Sequence, residues 1–423
     1  MPPFLLSCLT YLGAALPGST LGMLWPSMRV SVREPVSALA VVLVVGVAAQ
    51  VISSAATSRL GVRVRQGTLV AAGAALMAGA LAMESTATAL WVLAVGSAIY
   101  STGFGFVNTA LNVYAAARFG PRDITWMHAS YGLGATLGPL LVTALLAAGA
   151  GWRVAVISMS AVLALVALVL TTTRQRWEES PPASEASPGR TPPRAEGRAG
   201  DRTEERAGAA RERRGKAPGQ KRQEASGTNR AWRRAVISRV SFIGVESGIE
   251  VAAGIWGYVF LTSGRGVPAT VAGVAVSAYW AMMFAGRALL GPVAERAGAS
   301  RVLAIAVASV PAGALLMAVP GPAAVAVAGM MLLGLAAAPV FPLLTLTTAD
   351  RVGEDGAAMA VSLQTAASAI GSAALPSGIG LVVGAAGARA TGPALLVLGL
   401  AMCAVYGLAL RPARGPSARS GGR

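Results

Sequence analysis

Two glutamates within one apolar stretch are the residues best placed to do chemistry in this chain. Glu246 and Glu250 stand four residues apart between Phe242 and Trp256, so on a helix they share one face. A helix that starts near Arg234 reaches Glu246 after about 18 Å, in the central part of a membrane core about 30 Å thick. A carboxyl group at that depth must face a cavity or a partner, and protonation neutralises it at the least cost.

We therefore predict a proton-coupling site at Glu246 and Glu250. Two close carboxylates disfavour each other's charge, which supports proton binding at one of them. Two other interpretations stay open. Either residue could be a neutral, hydrogen-bonded acid that ties its helix to the other half of the molecule, or it could accept hydrogen bonds from solute hydroxyls without titrating.

Other polar and aromatic side chains within apolar stretches could bind a solute. Asn108 and Asn112 again share a helix face, where buried amides either hold two helices together or bind polar groups of a solute. His128, the only histidine, could shuttle protons or contact solute, or it could be a hydrogen-bonded interfacial residue. Aromatic rings can lie against the apolar face of a sugar. Further candidates for the cavity wall are Trp256, Tyr279, Trp280 and Gln364.

One loop between two apolar stretches carries glycines, an acid and bases at a characteristic spacing. Its residues are Gly291, Glu295, Arg296, Gly298 and Arg301. Gly298 permits a tight turn, and Glu295 can pair with a base or a helix N-terminus of a neighbouring helix, which would latch one conformation. We predict a gating role for this loop; the alternative is that its arginines only anchor the membrane surface.

A degenerate copy of the loop lies nearer the start of the chain. It keeps Arg59 and Gly61 but has Ser54 and Ser58 where the other loop has its first glycine and its acid. We assign Arg59 and Gly61 the same gating role. Arg287, inside a later apolar stretch, is predicted to pair with an acid or to extend its charge towards the membrane surface, and we group it with the gating residues.

Membrane helices must position all of these residues. The chain is 54% hydrophobic and 13% charged, with a mean hydropathy of +0.61, whereas a soluble domain is about one quarter charged. A span needs roughly 20 apolar residues. The predicted spans are residues 3–28, 36–57, 66–84, 88–115, 124–149, 152–173, 235–261, 268–292, 300–319, 322–348, 357–384 and 390–410.

The spans form two blocks of matched length, which predicts an internal repeat. Residues 1–173 and 235–411 are the two six-span bundles, and 412–423 is a tail. Residues 174–234 are rich in Arg, Glu, Pro and Gly and are predicted to be a disordered basic linker. This linker carries 16 basic and 9 acidic residues, which is +7 of the net charge of +17, and the charge is better explained by topology than by nucleic-acid binding. Arginines are more frequent in loops on the linker's side, which predicts cytoplasmic termini and linker.

The loop around Glu295 matches the signature loop of the major facilitator superfamily. Several other segments resemble the fucose:proton symporter family. They are Gly103-Phe-Gly105 before Asn108, His128 followed by Tyr131-Gly132, Gly244-Val-Glu246 before Trp256, Trp280 with Gly286-Arg287, and Pro339-Val-Phe341-Pro342. The resemblance implies an all-α membrane fold of twelve transmembrane helices in two pseudo-symmetric six-helix bundles, alternating access about a midplane cavity, and small polar cargo such as sugars.

The chain departs from that family in one respect. Fucose permeases carry acids in their first and fourth helices, whereas here span one has no acid and span four has Asn108 and Asn112. Coupling would then depend on Glu246 or Glu250, or the protein would be uncoupled.

We predict a secondary active transporter that moves a small polar solute across the bacterial inner membrane, with proton coupling. No enzymatic activity, cofactor or metal is expected, since one histidine excludes a multi-histidine metal cluster. The expected partners are the solute, protons or another cation, and the lipid bilayer, and the chain is expected to be a monomer. A drug or metabolite effluxer of the same fold, and a transporter-fold sensor or scaffold without flux, are the alternatives.

Overall fold

The computed structural model describes residues 2–60, 64–177, 218–346 and 354–410, and these form helices joined by short connections. The helices of the first half are α1 (Pro3–Gly18), α2 (Leu21–Val32), α3 (Leu39–Leu60), α4 (Gln66–Ser85), α5 (Leu90–Arg118), α6 (Pro121–Ala147) and α7 (Trp152–Thr173). The axes of α1 and α2 differ by 46°, so the first predicted span is a bent pair. Pro17 stands one residue before the end of α1, where its missing amide and its ring disfavour a continuous helix.

The second half repeats this layout. Its helices are α8 (Pro218–Val259), α9 (Ala269–Ala297), α10 (Ala299–Ala318), α11 (Ala323–Ala337), α12 (Val340–Leu346), α13 (Glu354–Ala386) and α14 (Thr391–Leu410). A π-helical turn, Phe260–Gly264, continues α8. Helices α11 and α12 together occupy the predicted span 322–348.

The length and hydropathy of the helices agree with the predicted spans. Among the described residues, ten helices are long and apolar enough to cross a membrane, and the bent pair α1–α2 makes eleven. Helix α8 occupies the remaining predicted span, and its paired glutamates make it less apolar than the others. Because lipid offers no partner to backbone groups, continuous helices are the form that such segments must take.

Equivalent helices pack in the same way in both halves. Helix α1 packs on α6 as α8 packs on α13, and α4 packs on α5 and α7 as α10 packs on α11 and α14. Across the two halves, α3 packs on α13 and α6 packs on α9. Because α3 is equivalent to α9 and α6 to α13, these two contacts are related by the pseudo-symmetry. The predicted fold of two pseudo-symmetric helical bundles is therefore confirmed.

Glycines allow the closest of these contacts at equivalent places. A Cβ on Gly73 of α4 would lie 2.6 Å from the carbonyl oxygen of Gly103 on α5, and one on Gly313 of α10 would lie 2.8 Å from that of Gly329 on α11. Only glycine fits at such distances, as is common where helices associate in lipid.

The described chain extends into both ends of the segment predicted to be a disordered linker. A short 3-10 turn, Arg174–Trp177, follows α7, and the Trp177 side chain is 2% exposed, with its ring centroid 4.9 Å from that of Tyr114. At the other end, α8 begins at Pro218. The low hydrophobicity of the whole segment gave no sign of structure at its two ends. The first end is held by the single buried Trp177 ring, and the second continues helix α8. Residues 178–217 and the tail 411–423 lie outside the described residues.

Candidate functional site

The two halves meet closely on the side opposite the linker. Gly22 of α2 lies directly against the Ile255 backbone of α8, and Gly273 of α9 lies against the Thr143 hydroxyl of α6. In each case an added Cβ would overlap the neighbour. These two contacts close the molecule on this side.

The centre of the molecule is open towards the linker side. Near the middle, Gly132 of α6 lies against the Phe284 ring of α9, 3.0 Å from the position of an added Cβ. One turn further towards the linker, His128 is exposed on α6, and the Arg287 side chain on α9 is 41% exposed. The exposed His128 and Arg287 therefore border a space that is reached from the linker side.

A cluster around Tyr11 forms the first-half wall of this space. The Tyr11 hydroxyl donates to Asn108 Oδ1 at 2.8 Å and accepts from Asn112 Nδ2 at 2.9 Å. The Tyr11 ring centroid lies 5.5 Å from that of His128 and 6.0 Å from that of Tyr131. The asparagine pair thus ties α5 to α1, which supports the helix-stapling interpretation, while the His128 and Tyr131 rings of α6 cover the buried Tyr11.

An ion pair forms the second-half wall. The Arg287 guanidinium of α9 donates to both carboxylate oxygens of Glu250 on α8, at 3.1 and 3.3 Å. The Tyr279 hydroxyl donates to the Glu250 backbone carbonyl at 2.8 Å. The Glu250 side chain is 16% exposed. Arg287 therefore pairs with an acid, one of the two roles expected of it, and does so at the cavity rather than at the gating loop.

Glu246 lies one turn away and is sealed from solvent in this conformation. It is 1% exposed, its Oε2 accepts from the Ser247 hydroxyl at 3.2 Å, and its Oε1 has no hydrogen-bond partner among the described residues. Ser368 of α13 donates to the Ser247 hydroxyl at 2.7 Å. Glu250 is therefore partly exposed at the cavity, whereas Glu246 is enclosed beside α13.

The aromatic and amide candidates divide between packing and the cavity wall. Trp256 is fully buried and its Nε1 donates to the Pro376 carbonyl at 2.7 Å, so in this conformation it joins α8 to α13. Gln364 on α13 is 1% exposed. Trp280 is half-buried, its ring centroid lies 5.3 Å from that of Tyr279, and its Nε1 lacks a partner within the described chain. This Nε1 atom is itself buried, so in this conformation it does not face the open cavity.

The predicted gating loop forms the turn between α9 and α10. Gly298 alone separates these helices and has φ +90°, so the tight turn predicted there is confirmed. Glu295, Arg296 and Arg301 are exposed and make no ion pair with described residues. Gly291 lies within α9. Of the degenerate copy, Arg59 falls in the last turn of α3 and Gly61 lies outside the described residues.

Sequence reasoning missed three polar residues of the first half. Tyr11 joins the two asparagines, and Glu84 of α4 and Gln50 of α3 line a separate cavity. Glu84 carried the same signal as Glu246, an acid within an apolar helix, and could have been found. Tyr11 and Gln50 gave no comparable signal, because their importance comes from helix packing.

The described residues hold no group of three or more His, Cys, Asp or Glu side chains that could bind a metal ion. Cys8 and Cys403 are free and half-buried.

Comparison with known proteins assigns the family. The family model of the Major Facilitator Superfamily matches residues 3–376. The chain belongs to the Major Facilitator Superfamily. No curated protein sequence matches the chain.

Solved structures of other transporters share the major facilitator fold with this protein. The nucleoside transporter NupG is 15% identical with a TM-score of 0.71, over 96% of this chain and 99% of that one. The peptide transporter POT in complex with sulfate is 16% identical with a TM-score of 0.66, over 97% and 95%. A bacterial homolog of the human lysosomal transporter Spinster, inward-facing and occupied, is 14% identical with a TM-score of 0.69, over 96% of both chains. The protein is therefore a multi-pass membrane transporter of this superfamily.

Proposed function

We propose that this transporter moves a small polar solute, such as a sugar, by alternating access, and that Glu246 and Glu250 couple the movement to protons. The observation that carries the proposal is the arrangement of three charged groups: Arg287 pairs with Glu250 at the open cavity, while Glu246 is enclosed one turn away. One guanidinium thus lies near two carboxyl groups and pairs with only one of them.

The charge balance favours one bound proton. Arg287 neutralises Glu250, whereas Glu246 has a buried oxygen with no partner in the described chain, and a buried carboxyl in that state is most stable with a proton on it. Release of that proton requires a wetter or more positive surrounding, which an opening on the other side of the molecule supplies. Proton exchange at Glu246 and solute access at Glu250 then belong to different conformations, which is the condition for coupling.

The surfaces around the ion pair fit a solute with hydroxyl groups and an apolar face. The partly exposed Tyr131 ring packs edge to face on the buried Tyr11 and offers an aromatic surface, and His128 is exposed beside it. On the other side, the partly exposed Glu250 carboxylate can accept hydrogen bonds from solute hydroxyls. A cavity with aromatic walls and a few polar groups is typical of small-solute sites.

The orientation of the protein in the membrane and the role of the Glu295 loop as a gate are also part of this scheme. The arginine excess in loops on the linker's side supports a cytoplasmic linker and cytoplasmic termini in a bacterial cell, and the open side would then face inward. The exposed turn with Glu295, Arg296 and Arg301 lies on this side, where Glu295 can latch the first half when the cavity closes there. The protein acts as a monomer in this scheme, because each chain holds a complete site.

The test is Glu246→Gln in proteoliposomes. The solute is first chosen by a thermal-shift screen of sugars and other small polar compounds, since ligands that bind the folded state raise its melting temperature. We expect Glu246→Gln to abolish uptake driven by a pH gradient and to leave counterflow intact, because the amide cannot release a proton but solute exchange does not need it.

The matched control is Glu34→Gln, which removes a carboxyl group just after α2 and away from the cavity. It should behave as the wild type in both assays. Unchanged gradient-driven uptake in Glu246→Gln would remove this residue from coupling. Loss of counterflow together with driven uptake would indicate that Glu246 is needed for folding or solute binding instead.

A further inference from the structure

A second cavity lies within the first half, towards the side opposite the linker. Its volume is about 250 Å³, and its wall is formed by α1 to α5 and α7, with Val251 and Ile255 of α8 and Ser372 of α13 closing it. It differs in place from the Glu250–Arg287 site, neither residue of which lines it.

Glu84 is the one charged side chain among the described residues that line this cavity. The Glu84 side chain passes over Gly96 of α5. A Cβ added to Gly96 would lie 2.7 Å from Glu84 Oε1 and 3.0 Å from Glu84 Cδ. In the part of the chain that the structure describes, its carboxyl group has no hydrogen-bond or ion-pair partner. Gly96 therefore leaves the space through which Glu84 reaches the cavity.

Neutral polar groups and apolar surfaces make up the rest of the wall. Gln50 of α3 and Ser101 of α5 supply an amide and a hydroxyl, and their side chains have no partner among the described residues. Tyr100 also lines the cavity, with its hydroxyl donated to the Ala14 carbonyl at 2.7 Å. The other lining side chains are mainly apolar and include Leu24, Trp25, Leu81, Leu93 and Met159.

The chemistry of this wall selects a cation. A carboxylate with no basic neighbour in the described wall is costly in an apolar cavity, and either a bound proton or a ligand of opposite charge removes that cost. The Gln50 carbonyl and the Ser101 hydroxyl are further acceptors for N–H donors. The aromatic rings of Trp25 and Tyr100 favour a cation with an attached apolar body, since rings attract cations through their faces.

We propose that this cavity binds a small organic ammonium ion, with Glu84 as its counter-ion. The volume is below the roughly 300–1,000 Å³ typical of drug-sized ligands, so the ligand is an amine with a compact hydrocarbon group. The site stands independently of the proton-coupling proposal, because it uses none of the same side chains.

The test measures binding of tert-butylammonium chloride to the purified full-length protein by calorimetry and thermal unfolding. The comparison ligands are tert-butanol, which has the same shape without charge, and sodium chloride at equal ionic strength. We expect only the ammonium ion to bind and to raise the melting temperature. The affinity of the Glu84→Gln protein for tert-butylammonium should be at least tenfold lower than that of the wild type, because a charge-assisted hydrogen bond contributes about 1.5–3 kcal/mol.

Two variants secure the interpretation. Gly96→Ala keeps the carboxyl group but displaces it, and should also weaken binding at least tenfold, so the test holds even where Glu84→Gln fails to fold. Glu34→Gln is the control and should bind as the wild type. Equal binding of tert-butanol, equal stabilisation by sodium chloride, or undiminished binding in both Glu84→Gln and Gly96→Ala would each overturn the proposal.

Discussion

Gly22→Ala is expected to open the side of the transporter that is closed in this structure. A Cβ at this position would overlap the Ile255 carbonyl oxygen and would lie 2.6 Å from its carbonyl carbon and 2.7 Å from its Cα. Carbon atoms in contact lie about 3.5–4.0 Å apart, so α2 and α8 must separate by about 1 Å. Backbone atoms cannot rotate away, and the strain falls on the closed conformation alone.

The expected shift of the conformational equilibrium follows from the measured cost of overpacking. Inserting a methyl group into a well-packed contact costs about 1–3 kcal/mol, and a conformational equilibrium shifts about 5- to 150-fold for that free energy. The state open on the side opposite the linker, in which α2 and α8 are apart, should gain that much in population. Gly273→Ala, at the separate contact with Thr143, should act in the same direction.

Electron spin resonance distances measure this shift. Labels at Arg33, after α2, and at Ala269, the first residue of α9, are both exposed on the affected side, and Cys8 and Cys403 are replaced to avoid extra labels. Gly22→Ala should add a longer distance to the distribution. The control is Gly79→Ala on α4, where a Cβ meets nothing within 4 Å. A Gly22→Ala distribution identical to that of Gly79→Ala would refute the role of this contact in closure.

Two further predictions concern stability. Gly298→Ala should cost about 1–3 kcal/mol of stability, because φ +90° strains any side chain there, and chemical denaturation measures the loss; equal stability would contradict the strain. Tyr11→Phe should cost about 1 kcal/mol by the same measurement, because Asn108 and Asn112 lose a shared partner. A weaker solute affinity with unchanged stability would show instead that these amides bind cargo.

Hydropathy predicted the helices because a membrane leaves little choice of structure. Each apolar stretch of sufficient length became a helix, and the two blocks pack as the predicted repeat. The bend between α1 and α2 was not predicted, although Pro17 stands beside it, because proline is tolerated within membrane helices when neighbours satisfy the backbone.

The site was predicted only in part, because spacing fixes the residues on a helix face but not where that face points. Glu246 and Glu250 differ by about 40° around α8, and that small rotation puts one beside α13 and the other beside α9. The partners decide the outcome: Ser368 lies on the first side and Arg287 on the second. Both partners belong to other helices, distant in sequence, and local patterns carry no information about them.

The packing of α8 on α13 limits how Glu246 can meet solvent. Gly244 and Gly371 bring these helices into backbone contact near Glu246, and Trp256 donates to Pro376 further along, so the two helices move as one unit. Rotation of α8 alone cannot expose the carboxyl group.

Water must then reach Glu246 from the space between the two halves. The Ser372 hydroxyl of α13 lies 3.5 Å from the Ser247 carbonyl beside Glu246, and Ser372 also faces the first half at the cavity that Glu84 lines. Separation of the halves on that side would bring water to the serines and, through them, to Glu246. In the proposed cycle, the contact at Gly22 would keep Glu246 dry while the Glu250 cavity is open to the linker side. A proton and a solute would thus be admitted in turn by a single rigid-body movement, with no separate gate for the proton.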